Sequence, residues 1–510
     1  MATTDLIFVA SPEGFRSQNI DRPPAHLVRE LVQNALDEAG VTQLDVTVTF
    51  HGPRQGTTVR VVDNAPQGVK DERLLFTLWL SDKEDSPLKR GRMGRGLKEI
   101  VSVANKTTIR SMGIDALQFE RKQGGEWSRR TLPKLGRTEV GTEVTSFCRA
   151  WGESAAKSIV TFIKRVRAPS TVELRVAFVD ERAAEPTPVF ERVVPFVATE
   201  RYQLYLPTVI YELDEGDRKA RDRHRHADVE CFTPPPGEQA YIYELGIPVE
   251  KCESSPVSID VQQRVILRER RDTVTDSYRR QLLAEVLNKR VKAGLVTGDE
   301  LRSNAALVAA QSMYSLDPDV RRQLADAWTG GLPYSTGKDD FQRATAHHVQ
   351  VVALRTLPEA IREVVKYAGT SVTSILETRK EEFCPVIPTE KLDLRCRKLI
   401  TFWGWLSAGL KRPCTVRICA GKPSAGADFN RTTQTLTLYA EMLGDQFFDD
   451  PAGAMQLGVF LHELAHWAPR ENEHGIEFHS DAENIGGKLA AFMLNNAEQA
   501  RLQLKGEVGP

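Results

Sequence analysis

The feature that most constrains the fold is the regular change between helix and strand periodicity in the first 155 residues. Apolar residues recur every three or four positions across residues 24–39 (PAHLVRELVQNALDEA), which predicts a helix with one buried face. A second helix is predicted at residues 97–104. Alternating apolar and polar residues predict strands at 44–50, 57–62, 106–111 and 142–147. This order predicts an α/β domain that lacks the repeated strand–helix–strand unit of a Rossmann fold.

The length of the chain predicts several domains. Its 510 residues exceed the ~100–200 residues of an ordinary domain. Changes in periodicity divide it into an α/β domain at 1–155, an α+β domain at 156–297, a helical linker region at 298–370 and a second α+β domain at 371–510. The predicted fold class is therefore a multidomain α/β protein.

Composition excludes several broad classes of protein. Lys and Arg total 68 against 69 for Asp and Glu, and a net charge of −1 argues against a chain coated by nucleic acid, although a local basic face stays open. We see no apolar run near the ~18 residues that a membrane span requires, and no secretory signal. The seven cysteines are scattered without a CxxC pair, as in reduced cytosolic proteins. We therefore expect a cytoplasmic protein without a membrane partner.

The first predicted helix carries a polar face beside its apolar one. Glu30, Asn34 and Asp37 stand at positions i, i+4 and i+7, so their side chains stack along the helix. A carboxylate one turn from an amide suits a metal–nucleotide site, in which the amide binds Mg²⁺ and the carboxylate activates a water. An ordinary solvated helix face shows the same pattern, so this motif alone leaves both interpretations open.

Three further segments favour a nucleotide site. Asp63 ends a predicted strand, where a carboxylate can accept a hydrogen bond from an exocyclic amine such as that of adenine. The segment GRMGRGLK, residues 91–98, precedes a helix, and its glycines let backbone amides approach phosphate oxygens. Gly141 and Thr142 stand at the start of another strand.

In this order the segments resemble the GHKL superfamily, which includes gyrase, histidine kinases, MutL, MORC proteins and topoisomerase VI. RELVQNALDEAG matches the E-x-x-x-N-x-x-D motif of the family, and GRMGRGLKEIVSVAN is similar to its ATP lid and glycine box. The adenine motif departs from D-x-G-x-G, because Ala65 takes the first glycine place and Gly68 stands one residue late. The resemblance implies that Glu30 is a general base, Asn34 a Mg²⁺ ligand and Asp63 an adenine contact. It implies phosphate contacts for Gly94, Gly96 and Lys98. It also implies that Thr142 supports the adenine side.

The resemblance also has implications for domain order and assembly. It implies a Bergerat-type α/β sandwich at 1–155, an α+β transducer at 156–297 and a homodimer formed through the ATP domain.

Basic residues predominate within 264–292, where a solvated helix face is favoured over a nucleic-acid surface because aromatic residues are nearly absent.

Four of the ten histidines fall between residues 462 and 479. Residues 453–467 (GAMQLGVFLHELAHW) predict a helix on which His462 and His466 project from one face and can share a metal ion. Glu463 stands beside them, where a catalytic base would polarise a water. Catalytic zinc is favoured over a structural metal or a packed histidine pair, because a closed metal site has no use for Glu463.

A catalytic zinc site needs a third protein ligand. His474 is the first choice and His479 the second, with Asp481 and Glu483 as weaker options. HELAHW followed by HGIEF resembles the SprT-like metallopeptidases, which implies a zincin-like α+β domain. Residues 427–438 predict a hairpin, and its second strand, near 435–439, is predicted to bind the substrate backbone.

Together the motifs predict an enzyme that is both an ATPase and a zinc-dependent metalloendopeptidase. The expected cofactors are Zn²⁺ and Mg²⁺ with ATP, and the expected partner is a protein substrate. ATP binding would gate peptide cleavage, and analogy of architecture suggests a stress or anti-phage effector. Two alternatives stay open: a DNA-associated MORC-like or MutL-like ATPase whose peptidase removes bound protein, and a chaperone-like ATPase with a structural zinc domain.

Overall fold

The protein is a multidomain chain of mixed α/β architecture, seen here in a computed structural model. The structure describes residues 12–77, 86–90, 94–122, 126–133, 135–183, 186–214, 217–268, 273–378, 383–423, 425–467 and 475–505. The chain divides into two compact units, residues 1–320 and 321–510. The finer division into four regions stays a prediction. In the described part of the chain, no helix is both long and apolar enough to cross a membrane.

A large mixed sheet forms the first part of the N-terminal unit, with the strand order β5-β4-β3-β6-β2-β1-β7-β8. Its strands are β1 (Gln43–Gly52), β2 (Gly56–Asp63), β3 (Lys106–Ser111), β4 (Ala116–Arg121), β5 (Trp127–Leu132), β6 (Thr142–Cys148), β7 (Glu173–Asp180) and β8 (Glu191–Arg192). β1 pairs antiparallel with β2 and parallel with β7. The four predicted strands are present, and the sheet continues past residue 155 because β7 pairs with β1 along its whole length.

The helices of this unit place the polar motifs beside the sheet. They are α1 (Pro12–Asn19), α2 (Pro24–Leu36), α3 (Arg73–Phe76), α4 (Gly96–Val103), α5 (Glu153–Arg165), α6 (Asp276–Lys292), α7 (Gly298–Leu301) and α8 (Asn304–Ala310). α2 begins at Pro24, where a missing N–H costs no helical hydrogen bond, and buries Leu27, Val28, Leu31 and Val32 against the sheet. Asp37 caps its C-terminus, so α2 ends earlier than the predicted residue 39.

A second sheet in the same unit has the order β12-β11-β13-β10-β9. Its strands are β9 (Glu200–Asp214), β10 (Asp217–Phe232), β11 (Ala240–Glu244), β12 (Ile247–Cys252) and β13 (Ser258–Val261). β9 and β10 form a long antiparallel hairpin, and β11 turns into β12 through Leu245 and Gly246, both of which have positive φ. This turn faces the first part of the unit, because Gly246 lies directly against the backbone carbonyl of Arg167.

The second unit contains helices before and around a small sheet. The helices that begin from residue 318 onward are α9 (Pro318–Thr329), α10 (Lys338–Ala346), α11 (Glu359–Ala368), α12 (Val372–Thr378), α13 (Leu394–Gly409), α14 (Ala440–Leu443), α15 (Ala454–Ala465), α16 (Ile476–Asn495) and α17 (Ala497–Lys505). The strands are β14 (Tyr334–Ser335), β15 (Val352–Ala353), β16 (Thr415–Cys419), β17 (Ala427–Asn430) and β18 (Thr435–Tyr439). The predicted hairpin is confirmed as the antiparallel pair β17 and β18.

The predicted role of the strand near 435–439 is wrong. β18 is the central strand of its sheet, because β16 pairs with it in parallel on one side and β17 pairs with it antiparallel on the other. Both rows of its backbone hydrogen-bonding groups are therefore used, and no peptide can add to it. Within the described residues, β17 is an edge strand of this sheet.

The close approach of α13 and α16 yields a stability prediction. A Cβ on Gly409 would lie 2.2 Å from Phe492 Cζ, whereas a Cβ on Gly404 in the same helix would meet no atom within 4 Å. We expect Gly409→Ala to lower the free energy of unfolding by about 1–3 kcal/mol, because the ring must move within a packed core. Gly404→Ala should leave it unchanged or raise it by up to about 1 kcal/mol. Urea denaturation followed by tryptophan fluorescence measures both, and equal effects would contradict the assigned packing.

Candidate functional site

Glu30 and Gly96 bring two of the sequence motifs into direct contact. Glu30 is buried on α2, and a Cβ placed on Gly96 would lie 2.1 Å from Glu30 Oε2 and 2.9 Å from Glu30 Cβ. Gly96 is the first residue of α4, where backbone N–H groups lack partners within the helix. Glycine is therefore required here, since any side chain would displace the carboxylate. The contact joins the predicted general base to the helix N-terminus predicted to meet phosphate.

The other polar residues of the first motif lie further along α2. Asn34 is half-buried one turn after Glu30. Asp37 is buried at the helix C-terminus and accepts a hydrogen bond of 3.0 Å from Arg90 Nη1. The structure thus places Glu30 and Asn34 along one stretch of α2, and gives Asp37 a cationic partner. The predicted role of Asn34 as the Mg²⁺ ligand stays a prediction.

Asp63 and Thr142 lie together at the end of β2. The backbone N–H groups of Ala65 and Thr142 donate to Asp63 Oδ1 at 2.9 and 3.1 Å. Among the described residues, no group donates a hydrogen bond to Asp63 Oδ2. Gly141 makes this approach feasible, because a Cβ there would lie 1.9 Å from the Asp63 carbonyl oxygen. A contact of the second carboxylate oxygen with adenine stays a prediction.

The environment of Asp63 acts in two directions on its carboxyl group. Burial raises its pKa, and the two backbone hydrogen bonds from Ala65 and Thr142 lower it, with burial the larger effect. Gly68, in the loop that follows Asp63, has φ of +56°, and a Cβ there would lie 2.7 Å from Ser111 Oγ. Ser111 Oγ in turn lies 2.9 Å from Thr142 Oγ1. The glycine that stands one residue late in the motif is thus required by the packing of this loop.

The glycine-rich segment is described from residue 94 onward. Gly91 lies outside the described residues. Gly94 has φ of +57°, a backbone conformation that glycine adopts readily. The ammonium group of Lys98 donates to the carbonyl of Leu74, and burial lowers its pKa to about 8. Contacts of Gly94, Gly96 and Lys98 with phosphate stay predictions.

Two arginines that the sequence reasoning missed hold the segment before the glycine-rich loop. The buried Arg90 donates from Nε to the Leu245 carbonyl at 2.9 Å, in addition to its bond with Asp37. Arg264, also buried, donates from Nε to the Lys89 carbonyl at 2.7 Å. Residues 86–90 therefore contact both α2 and the second sheet. Single arginines in polar stretches carry no sequence signal for such contacts.

The histidine pair of the second constellation lies at the end of α15. His462 and His466 have ring centroids 5.3 Å apart, and both rings contact Phe478 of α16, at 5.0 and 4.8 Å. A zinc ion bound about 2.1 Å from a nitrogen of each ring, in tetrahedral geometry, places the two centroids roughly 5 Å apart. The two side chains therefore fit a shared zinc ion. Zinc itself stays a prediction.

The third ligand is not settled among the described residues. His474, the first choice, lies outside them. His479 lies on α16, and no three His, Cys, Asp or Glu side chains of the described residues form a group that could hold a metal. Asp481 binds Arg412 with both carboxylate oxygens, at 3.0 and 3.1 Å. The structure therefore does not bring the alternatives His479 and Asp481 into a group with the histidine pair.

His462 and Glu463 open onto a groove of about 500 Å³ between α15 and the small sheet. Glu463 is 8% exposed, and its neighbour His462 is exposed. Ala427, the first residue of β17, lines the same groove. The proposed base, one of the proposed zinc ligands and the edge strand thus share one surface.

Comparisons with known proteins add little to this geometry. No protein-family model matches the chain, and no curated protein matches it. One solved structure, described as "Crystal Structure of N terminal domain of a DNA repair protein", is 14% identical and covers 52% of this chain and 91% of its own, with a TM-score of 0.32. A likeness this weak carries no argument, so function is inferred from the residues themselves.

The contact between Gly96 and Glu30 predicts the effect of one added methyl group. We expect Gly96→Ala to lower the melting temperature of the N-terminal unit, with a loss of about 1–3 kcal/mol, because the new Cβ would overlap the buried carboxylate. Gly298→Ala is the matched control, since a Cβ on Gly298 at the start of α7 meets no atom within 4 Å. Differential scanning calorimetry compares the two, and an unchanged transition in Gly96→Ala would contradict the contact.

The lowered pKa of Lys98 predicts a pH dependence of stability. Its pKa of about 8 in the folded protein lies below its ordinary 10.5, so the folded protein binds fewer protons than the unfolded chain between these values. Stability therefore rises with pH across this window. The free energy of unfolding of the wild type minus that of Lys98→Met should rise by up to about 1.4 kcal/mol per pH unit between pH 8 and 10.5. Denaturation at several pH values measures it, with exposed Lys106→Met as the control, and a flat difference would contradict the prediction.

Proposed function

We propose that this chain is an ATP-regulated zinc metallopeptidase. The observation that carries the proposal is the shared surface of His462 and Glu463, which line one groove beside an edge strand. His466 follows one turn later, at a ring separation that suits a shared zinc ion. His474 is proposed as the third ligand, within a zincin-like domain of the SprT type.

The proposed chemistry assigns one role to each side chain. A zinc ion held by His462, His466 and His474 would supply Lewis acidity and lower the pKa of a water molecule toward about 7. Glu463 would accept the proton of that water during attack on the peptide carbonyl and return it to the leaving amine. Its partial burial suits this role, since a shielded carboxylate interacts more strongly with a nearby proton.

The edge strand β17 is proposed to hold the substrate backbone. Its outer hydrogen-bonding groups can pair with an extended peptide, which would then lie along the outer edge of β17, beside the groove. Backbone pairing is independent of side chains, so it positions a peptide bond near Glu463 without fixing the substrate sequence.

The ATP part of the proposal rests on two contacts of the N-terminal unit, that of Glu30 with Gly96 and that of Asp63 with Thr142. Glu30 would take a proton from the attacking water, Asn34 would hold Mg²⁺ with ATP, and Asp63 Oδ2 would accept a hydrogen bond from the adenine amine, with Thr142 supporting it. Gly94, Gly96 and Lys98 would meet the phosphates. This GHKL-type unit, with the second sheet as its transducer, is proposed to dimerise on ATP binding.

Residues 86–90 supply a physical route for gating. They lie next to the glycine-rich loop, and Arg90 and Arg264 bond them to the second sheet. A rearrangement of the loop around ATP would therefore strain these bonds and move the sheet. Peptide cleavage is proposed to depend on this movement.

Replacement of the proposed base tests the peptidase. We expect Glu463→Gln to abolish cleavage of protein substrates, with a loss of at least about a hundredfold, because the amide cannot take a proton. It should still bind zinc, since its carboxylate is not a proposed ligand. Cleavage of casein and of the chain itself, measured by gel electrophoresis with zinc present and ATP added or withheld, checks this. Glu498→Gln, an exposed position on α17, is the matched control.

The same assay separates the two halves of the proposal. Glu30→Ala should bind ATP without turning it over, and exposed Glu72→Ala is its control. Cleavage that persists in Glu463→Gln would overturn the peptidase assignment. Cleavage that requires Glu463 but is indifferent to ATP in every variant would overturn the gating.

A further inference from the structure

The groove beside His462 is lined mainly by apolar residues, and that lining restricts what can bind. We propose that it selects an extended peptide segment with a bulky apolar side chain next to the bond to be cut. The inference rests on the proposed peptidase function and adds a substrate class to it.

The lining is apolar except at one end. Seven of the nine residues that line the groove have no polar side-chain atom, and the other two are His462 and Glu463. The larger members of the apolar set are Leu443, Met455 and Val459. A charged substrate side chain would lose hydration here without a partner of opposite charge, except at Glu463. A large apolar side chain would instead be transferred from water to an apolar surface.

The helix α15 directs this apolar surface toward the catalytic pair. Met455, Gly458 and His462 stand at spacings of three and four residues, so they follow one face of the helix. The apolar part of the groove therefore begins one turn before His462. A substrate side chain bound in this part of the groove would belong to a residue next to the peptide bond that lies at His462 and Glu463.

Small residues leave room for a large side chain. A Cβ placed on Gly458 meets no atom within 4 Å, so the groove is open directly above the helix backbone. The groove volume of about 500 Å³ lies within the range of natural ligand sites. Met455 is 61% exposed at the outer end, and an unbranched thioether adapts to apolar groups of different shape.

The border of the groove identifies the occupant as an extended peptide. Ala427 of β17 lines it, and β17 is an edge strand within the described residues. In an extended peptide paired with an edge strand, alternate side chains point to the same face. One of them would enter the apolar groove while the backbone stays on the strand.

The test measures both cleavage and binding with the full-length chain. Unstructured peptides that differ at one central position, occupied by Leu, Phe, Met, Ser, Asp or Lys, are cleaved with zinc and ATP present, and the cut sites are identified by mass spectrometry. The same fluorescein-labelled peptides are titrated onto Glu463→Gln without zinc, and fluorescence anisotropy reports binding. The second measurement needs no catalysis.

We expect peptides with Leu, Phe or Met to be cleaved with kcat/KM at least about tenfold higher than peptides with Asp or Lys, and to bind correspondingly tighter. Gly458→Leu should remove this preference by filling the groove. Met455→Lys should weaken binding of the apolar peptides and improve binding of the Asp peptide. Leu494→Lys, 81% exposed on α16, is the matched control and should change neither.

The outcomes separate this inference from the proposed function. Cleavage or binding with equal preference for all central residues, or a preference that Gly458→Leu leaves intact, would overturn it. Absence of cleavage together with apolar-selective binding that Gly458→Leu abolishes would support the groove and overturn the peptidase. Absence of both cleavage and selective binding would overturn both.

Discussion

The N-terminal unit depends on the buried guanidinium group of Arg90. A charge taken out of water costs several kcal/mol unless it is paired and hydrogen-bonded. Arg90 is 8% exposed, and Asp37 and the Leu245 carbonyl supply its partners. These bonds fix the end of α2, the segment before the glycine-rich loop and the turn of the second sheet relative to one another. One of the links between the two sheets of this unit therefore runs through the segment next to the proposed nucleotide site.

Glycine shapes both candidate sites, but in opposite ways. At Gly96 the space left by the missing side chain is filled by the Glu30 carboxylate, so α4 and this carboxylate are held in contact. At Gly458 the corresponding space is open and becomes part of the groove. A carboxylate held in place suits the chemistry proposed for the first site. Open space suits the recognition proposed for the second site. The same residue type therefore indicates nothing about function until its neighbours are known.

Local patterns predict the elements, whereas pairing between distant segments escapes them. The helix that begins at residue 24, the strands around it and the hairpin at 427–438 follow from periodicities of neighbouring residues, and the structure contains them, with the helix ending at Leu36. The predicted role of the strand at 435–439 is wrong because its place in the sheet depends on β16, a parallel partner that no short pattern reveals. Arg90 illustrates the same limit, since its two partners lie 53 and 155 residues away. The histidine pair is predictable because helical spacing alone brings it together.

The shortness of β17 has a consequence for which proteins could be attacked. Its edge spans only Ala427–Asn430, so it can pair with a few residues of another chain. A segment already committed to a helix or to the interior of a sheet has no free backbone groups to offer. Only a stretch of chain that is locally unfolded could then occupy the strand, and the hydrogen bonds of a native protein would protect it from the proposed cleavage. Conformation, before sequence, would decide which chains the proposed peptidase could cut.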